Sequence, residues 1–507
     1  MSIIFIFIIT ILILYMCYSF VTGKPNNTPP GLLRLPLWGS YWFLLWGNYK
    51  FPHETIAYYV KKFKSKIISC YLGNAFVVIV NDYAGIKEVL NRKEFDGRAI
   101  SDVMKIRAFG KTLGIFFNDA VEWHEQRRFA LRNMRDFGFG RRHQEVENNF
   151  VEELTVMLDT IDNGPINNSE KSVVNGDLVY FPNILYPTCV NMLWSIMSGE
   201  RFDRSEHDIL RQFCIDASIF QAGGDTTGGA TSMTAWLRHF GDIFSWKSFY
   251  NAHNGMINFF RMYLEKHGES LTEDEKESRG FMSTYLCKMK NLKSSNEAGF
   301  SVDQMLLVIE DFMFPAASAV PTVITNCIKY MMHYPEVMKK VQAEIDHVVG
   351  RGRVPKWDDR KDLIYTEATI REVMRIATIT PLSVAHRAIQ NTKLFGYDIP
   401  VDTIMMTNLT AMHNDPDTWG DPENFRPERF LNDQGQLGKD YSMPFGNGKR
   451  LCAGETFARF MVFGMFATLV QHYDFSFVDG EPMSLNDKIP GIIVQNPRAW
   501  IKLNPRH

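Results

Sequence analysis

The chain has 507 residues and a formal net charge of −2, so its overall charge makes no case for binding nucleic acid. Its hydrophobic content of 45% is ample for a large core. The seven cysteines (17, 70, 189, 214, 287, 327 and 452) form no CxxC pair and no even framework, which argues for reduced thiols in a cytosol-facing body.

Residues Ser2 to Gly23 carry no charge, and Ile3 to Val21 is almost wholly Ile, Leu, Phe and Tyr. That length approaches the ~20 residues that span a bilayer. The run is longer than the apolar region of a cleaved signal peptide and ends without a small-residue cleavage site. Lys24 is the first charge and more basic residues follow, so the positive-inside rule puts the N-terminus in the lumen and the body in the cytosol. The N-x-[ST] sequons at Asn26, Asn167 and Asn408 are unused in that topology. Prolines crowd Pro25 to Pro36, which cannot be helical and gives a stiff extended link. The expected organisation is an anchor over 1–23, a proline-rich hinge over 24–40 and one large domain over 41–507.

In that domain His53–Phe63 reads as a helix, Ile67–Tyr71 and Phe76–Val80 as strands joined by a turn at Gly73-Asn74, and Ala84–Arg92 as a short helix. Asn118–Arg135 is a longer helix. In it Trp123 and Arg127, at i and i+4, share a face, and an indole donor beside a guanidinium suits a buried carboxylate. Residues 160–178 are polar and read as a loop. Helices are predicted over 205–220 and 248–266, with a Gly-, Thr- and Ser-rich loop, Gln221–Met233, between them. Glu269–Glu297 is charged and expected to be exposed. Asp303–Met332 is a long apolar helix, followed by helices over Pro335–Val348 and Asp362–Ala377. The last of these carries Glu372 and Arg375, which can pair at i, i+3. Lys393–Phe395 and Thr403–Met406 are strand-like.

The chain is organised around Phe445-Gly446-Asn447-Gly448-Lys449-Arg450-Leu451-Cys452-Ala453-Gly454. Gly446 and Gly448 permit positive φ and a close backbone approach to something flat. A helical run to about Gln471 follows. Cys452 therefore stands near a helix N-terminus beside Lys449 and Arg450, features that favour a thiolate. A thiolate held this way is a good soft ligand for iron.

The pattern F-G-x-G-x-R-x-C-x-G resembles the haem-binding loop of the cytochrome P450 family, the haem-thiolate monooxygenases. The resemblance extends over essentially the whole chain: a proline hinge, the W-x-x-x-R pair, E-x-x-R at Glu372 and Arg375, and the later Pro427-Glu428-Arg429-Phe430. It implies a mainly α fold with small β-sheets on an N-terminal transmembrane helix. It implies haem b, with Cys452 as iron ligand and Phe445, Trp123, Arg127, His386 and Arg450 as cofactor-binding residues, the last four toward the propionates. In the family the Glu–Arg pair locks to the arginine of the later segment, here Arg429, and the region of Gln221–Met233 covers the substrate entrance. The implied reaction uses O2 and electrons from NADPH, delivered by NADPH–cytochrome P450 reductase with cytochrome b5 as a further donor. The implied substrate is an apolar small molecule (a hormone-like lipid, a steroid or a xenobiotic), and the implied location is the endoplasmic reticulum membrane. Of the arginines at 127, 128, 132 and 135, some are expected to face haem and the rest, with Lys449, to form a basic patch for an acidic electron donor. Asp119-Ala120 through Phe129 and Arg135 through Gly140 look most like insect microsomal members, which include hormone-processing and detoxifying enzymes.

The central helix departs from the family. Where the family carries a small-Gly-x-acid-Thr-Thr run that steers protons, this chain has Pro315-Ala316-Ala317-Ser318-Ala319-Val320-Pro321-Thr322. Ser318 holds the acid position and Ala319 the threonine position, with Thr322 one turn on. Ala316 and Ala317 stay small, so a flat ligand can approach. Pro321 has no N–H and frees the carbonyl of residue 317. The expected oxygen-side residues are therefore Ser318, Ala319 and Thr322. Two other readings stay open: a haem-thiolate isomerase or dehydratase acting on a lipid hydroperoxide without a reductase, and a haem protein that binds without turnover.

Overall fold

The computed structural model of the chain describes residues 2–119, 121–268, 279–292 and 299–506. Ser2–Thr22 forms helix α1, and its side chains from Phe7 to Tyr18 all face outward. A helix with that surface is compatible with a membrane anchor. The proline-rich stretch is extended, as its composition requires, but it does not hang free. It lies along strand β1 (Ile67–Leu72): the Ser69 N–H donates to the Pro30 carbonyl at 2.8 Å and the Ser69 hydroxyl to that of Pro29 at 2.7 Å. Gly31 makes this possible, since a Cβ there would stand 1.8 Å from the Ser69 carbonyl oxygen.

β1 pairs antiparallel with β2 (Ala75–Val80), close to the predicted hairpin. They belong to a five-stranded sheet in the order β1-β2-β5-β4-β3, where β3 is Gly97–Arg98, β4 is His386–Arg387 and β5 is Ile404–Thr407. The register sets Arg98 opposite His386 across β3 and β4. Chain segments nearly three hundred residues apart thus meet at one corner. The side chain of Asn408, just after β5, is fully buried and donates to Asn81 at 2.9 Å, so this sequon cannot carry a glycan in the folded protein.

The helices that position the site are α2 (Tyr41–Asn48), α3 (Val121–Asp136), α4 (Tyr186–Ser198), α5 (His207–Ala222), α6 (Trp246–His267), α7 (Val302–His333), α8 (Ile364–Ala377) and α9 (Glu455–His472). α7 is the axis of the main core. Its 32 residues make a rod of about 48 Å, capped at the start by the Ser301 hydroxyl, which accepts from the Gln304 N–H. It packs against α4, α5, α8 and α9. α7 is long and apolar enough to cross a membrane, but nearly all of it is buried in protein.

Three expectations are corrected. Residues 160–178 are not one loop: they hold the end of the helix Gln144–Asp162, a helical turn at Asn168–Lys171 and the start of a second, four-stranded sheet. Gln221–Met233 ends in a short helix, Gly229–Met233. The charged segment 269–297 lies partly outside the described residues, and within it Phe281–Asn291 is a helix that buries Phe281, Met282 and Tyr285.

The E-x-x-R and P-E-R-F segments meet. Glu372 is fully buried and takes two bonds from Arg375 (2.7 and 2.8 Å), one from Arg429 (2.9 Å) and one from the Arg426 N–H (2.9 Å). Arg375 spends its other donors on the carbonyls of His413 and Pro422, and Arg429 on those of Trp419, Asp421 and Asn424 and on the Asp421 carboxylate. A buried charge set is tolerable only when every group is paired in this way.

Candidate active site

The loop before α9 is built by its two glycines. Gly446 (φ 75°) and Gly448 (φ 68°) occupy the left-handed region, and a Cβ on Gly448 would lie 1.9 Å from the Leu90 carbonyl oxygen. The Cys452 N–H donates to the Phe445 carbonyl at 3.0 Å and closes the loop on itself. Cys452 is exposed, whereas the five cysteines from Cys70 to Cys327 are buried. Protein crowds its base, so desolvation pushes the thiol up, while the Gly454 N–H and the Arg127 guanidinium pull it down. Desolvation at its base thus opposes the thiolate that the helix start and Arg127 favour. A coordinating metal ion would deprotonate such a thiol outright.

Lys449 does not reach the sulfur's surroundings; it pairs with Asp96 at 3.0 Å. Arg450 turns inward. It donates to the carbonyls of Asp96 (2.9 Å) and Asn118 (2.8 Å), and its guanidinium carbon lies 3.4 Å from the Trp123 ring centre. Trp123 spends its indole N–H on the Ile115 carbonyl at 2.8 Å, so it acts as a platform for Arg450 rather than as a free donor. Arg127, the other member of the W-x-x-x-R pair, donates to the Leu451 carbonyl at 2.5 Å. The structure therefore brings Trp123, Arg127, Arg450, Phe445 and Cys452 together.

It also adds Arg98, which the sequence reading missed. Arg98 is buried, donates once to the Val384 carbonyl, and leaves its Nε buried without a partner. Desolvation, then Arg450 and Arg127, push its pKa down to about 9. Desolvation brings Arg450 down to about 10, with Arg127 also acting against Asp119 and Asp96. Arginines stay charged at neutral pH, so these shifts register first the burial of the two guanidiniums and, at Arg98, the crowding of like charge. His386, opposite Arg98, is held neutral near 3 by burial and by Arg98, and its Nδ1 bonds the Phe95 carbonyl at 2.8 Å. A group with two carboxylates, an apolar plane and a metal for the Cys452 sulfur fits this donor set, and haem is such a group.

The opposite wall comes from α7. Pro315 and Ala319 are half-buried and Val323 is buried; at i, i+4 and i+8 they form one stripe along the helix. Ala319 and Val323 border a cavity shared with Met374, Phe445, Ala458 and Val462. Ala316 and Ala317 keep the adjacent face small, and both are buried. Ser318 and Thr322 are not on the stripe. Both are buried, and their hydroxyls donate back along the helix, Ser318 to the Phe314 carbonyl (2.8 Å) and Thr322 to that of Ser318 (2.7 Å). Of the three oxygen-side residues expected from sequence, only Ala319 faces the cavity.

The comparisons with known proteins agree with this geometry. The family model for cytochrome P450 matches residues 29–503. The chain belongs to the cytochrome P450 family. It is 30% identical over 481 residues to farnesoate epoxidase of Bombyx mori (94% of each chain) and 30% identical over 509 residues to probable cytochrome P450 305a1 of Drosophila melanogaster (96% of each). It is also 30% identical over 472 residues to human cytochrome P450 2J2, covering 91% of this chain and 88% of that one. As a P450 the protein is a monooxygenase; its cofactor is haem, and a redox partner supplies its electrons.

The P450 loop is braced from behind by His413. Its Nε2 accepts the Met443 N–H at 3.1 Å, its Nδ1 bonds the Thr378 hydroxyl at 2.9 Å, and its carbonyl accepts from Arg375. Burial and Arg375 hold it neutral, with a pKa of about 3 against the usual 6.5. The unfolded chain takes up this proton more readily than the folded one. The stability this gives is complete above about pH 6.5 and is lost as pH falls toward 3. His413→Gln should lower the melting temperature at pH 7 and flatten part of its decline between pH 6.5 and 4. An unchanged acid slope in the variant would show that His413 does not titrate in this way.

Proposed function

We propose that this P450 inserts one oxygen atom from O2 into an apolar small molecule, a hormone-like lipid, steroid or xenobiotic. Its electrons come from NADPH through NADPH–cytochrome P450 reductase, with cytochrome b5 as an additional donor. The anchor is 1–23, the membrane is that of the endoplasmic reticulum, and the domain 41–507 faces the cytosol, oriented by the segment 24–40. The observation that carries the reading is the gathering of Arg98, Arg127 and Arg450 beside Cys452, whose loop residue Phe445 also lines the cavity that Ala319 and Val323 border. A relative named for epoxidising farnesoate supports the lipid class.

In this reading Cys452 holds the iron, and Arg98, Arg127 and Arg450 hold the propionates, with His386 and Trp123 packed beside them. Bound haem supplies the activation of O2 and its transfer to carbon. The chain's own residues bind, orient and exclude water. Ala319 and Val323 let the substrate lie close to the helix. Arg128, Arg132 and Arg135 form the exposed face of α3, a basic strip suited to an acidic donor protein.

Cys452→Ala should lose the thiolate-type carbon monoxide band of the reduced protein and all NADPH-dependent product formation. A retained thiolate band would remove Cys452 from the role. Turnover of a fatty-acid hydroperoxide without NADPH, with no product from O2, would replace the monooxygenase by an isomerase.

With the hydroxyls of Ser318 and Thr322 committed to the backbone, no side-chain hydroxyl on the stripe can hand a proton to the oxygen side. General acid help of this kind is worth roughly 10²–10⁴-fold. Generic substrates should therefore be poorly coupled, with much NADPH consumed and hydrogen peroxide released. Ala319→Thr should raise product per NADPH on them, and less so on a substrate bearing its own hydroxyl. Tight coupling in the unaltered protein, unchanged by the substitution, would show that the missing alcohol has no consequence.

A further inference from the structure

α7 contains two prolines, and each leaves the carbonyl four residues before it without a helical donor: Asp311 for Pro315 and Ala317 for Pro321. Sequence alone pointed to the second. The structure separates them. Pro321 and Ala317 are buried, and Ala317 is 0% exposed. Pro315 is half-buried and lies one turn before Ala319 on the same face of the helix, the face whose Ala319 and Val323 border the cavity. Asp311 is 5% exposed although its side chain is 0% exposed, so the atoms that meet open space belong to its backbone.

The neighbouring carbonyls are covered by hydroxyls: Phe314 by Ser318, Ser318 by Thr322, and Pro321 by Thr325. Among the described residues no side chain donates to the carbonyl of Asp311. The residue is also immobile. Its carboxylate accepts from Arg107 (2.6 Å) and from the N–H groups of Ile115 (2.6 Å) and Phe116 (2.9 Å). Around it stand Phe116 and Phe314, their rings 5.6 Å apart.

We infer that the Asp311 carbonyl is a fixed hydrogen-bond acceptor on the face of α7 that carries Pro315 and Ala319, and that it selects ligands carrying a hydroxyl or N–H donor. Asp311 stands eight residues before Ala319, roughly 12 Å along the helix axis at a rise of 1.5 Å per residue. The substrate class this defines is an apolar molecule with one donor group remote from the carbon oxidised there. The inference rests on the proposed reading of the space as a haem-bound oxidation site. A buried acceptor left without a donor is costly, whereas a donor from the ligand satisfies it.

The test uses the holoenzyme and iron-binding probes. N-(ω-hydroxyalkyl)imidazoles with chains of four to ten carbons are compared with N-alkylimidazoles carrying a methyl in place of the hydroxyl, and dissociation constants are read from the haem spectrum. At a preferred chain length the hydroxyl form should gain about fivefold over its methyl counterpart, relative to the other lengths, the effect of one hydrogen bond. Pro315→Ala restores the missing N–H with a better helix former and should abolish that gain. Pro321→Ala should leave it intact. A gain that survives Pro315→Ala, falls equally in both variants, or appears at no length overturns the inference while the haem site stands. If no imidazole perturbs the spectrum, the haem reading fails and the inference with it.

Discussion

Three guanidiniums gathered at one corner, with too little negative charge to balance them, are the constraint on which this protein depends. Arg98 comes from β3, Arg127 from α3 and Arg450 from the cysteine loop, so the corner ties together the sheet, the helix that follows it and the C-terminal third of the chain. Leaving a buried charge uncompensated costs about 3–5 kcal/mol. The protein relieves part of this through backbone carbonyls at Asp96, Asn118, Val384 and Leu451. Carbonyl dipoles do not neutralise a net charge, and the orphaned Nε of Arg98 marks what is left. A dianion would complete the corner, and the two propionates of haem would supply one. Folding and cofactor binding would then be linked in this chain.

The same logic of complete pairing holds the loop from the other side. Glu372 satisfies Arg375 and Arg429, Arg375 fixes the His413 carbonyl, and the His413 ring fixes Met443, three residues before Gly446. The cysteine is thus positioned by a chain of buried polar contacts that begins in α8. The oxygen side is built differently. α7 offers the cavity an alanine and two valines, Ala319, Val320 and Val323, and the hydroxyls of Ser318 and Thr322 turn onto its own backbone. This is where the chain differs most from the pattern its family carries.

Local signals in the sequence were enough to place most of the scaffold. Apolar periodicity located α5, α6, α7 and α9 to within a few residues, and the Gly-rich pattern located the cysteine loop. The failures were long-range. Arg98 stands in no motif; only the pairing of β3 with β4 places it opposite His386. The indole of Trp123 looked like a donor to a ligand, but a carbonyl eight residues earlier takes it. Ser318 and Thr322 were the right residue types at a plausible spacing. Helical phase puts them off the stripe set by Pro315, Ala319 and Val323, and a hydroxyl in a buried helix finds the carbonyl behind it first. Spacing along a chain cannot reveal which of two prolines faces a cavity; burial does.

The central claim is that the cationic corner requires the carboxylates of the cofactor. Thermal unfolding of the apoprotein, titrated in parallel with haem and with haem dimethyl ester, tests it most directly. Both offer the same ring and the same iron, but the ester carries no charge for Arg98, Arg127 and Arg450. The account predicts that haem raises the melting temperature clearly more than the ester does. Equal stabilisation by the two would contradict it.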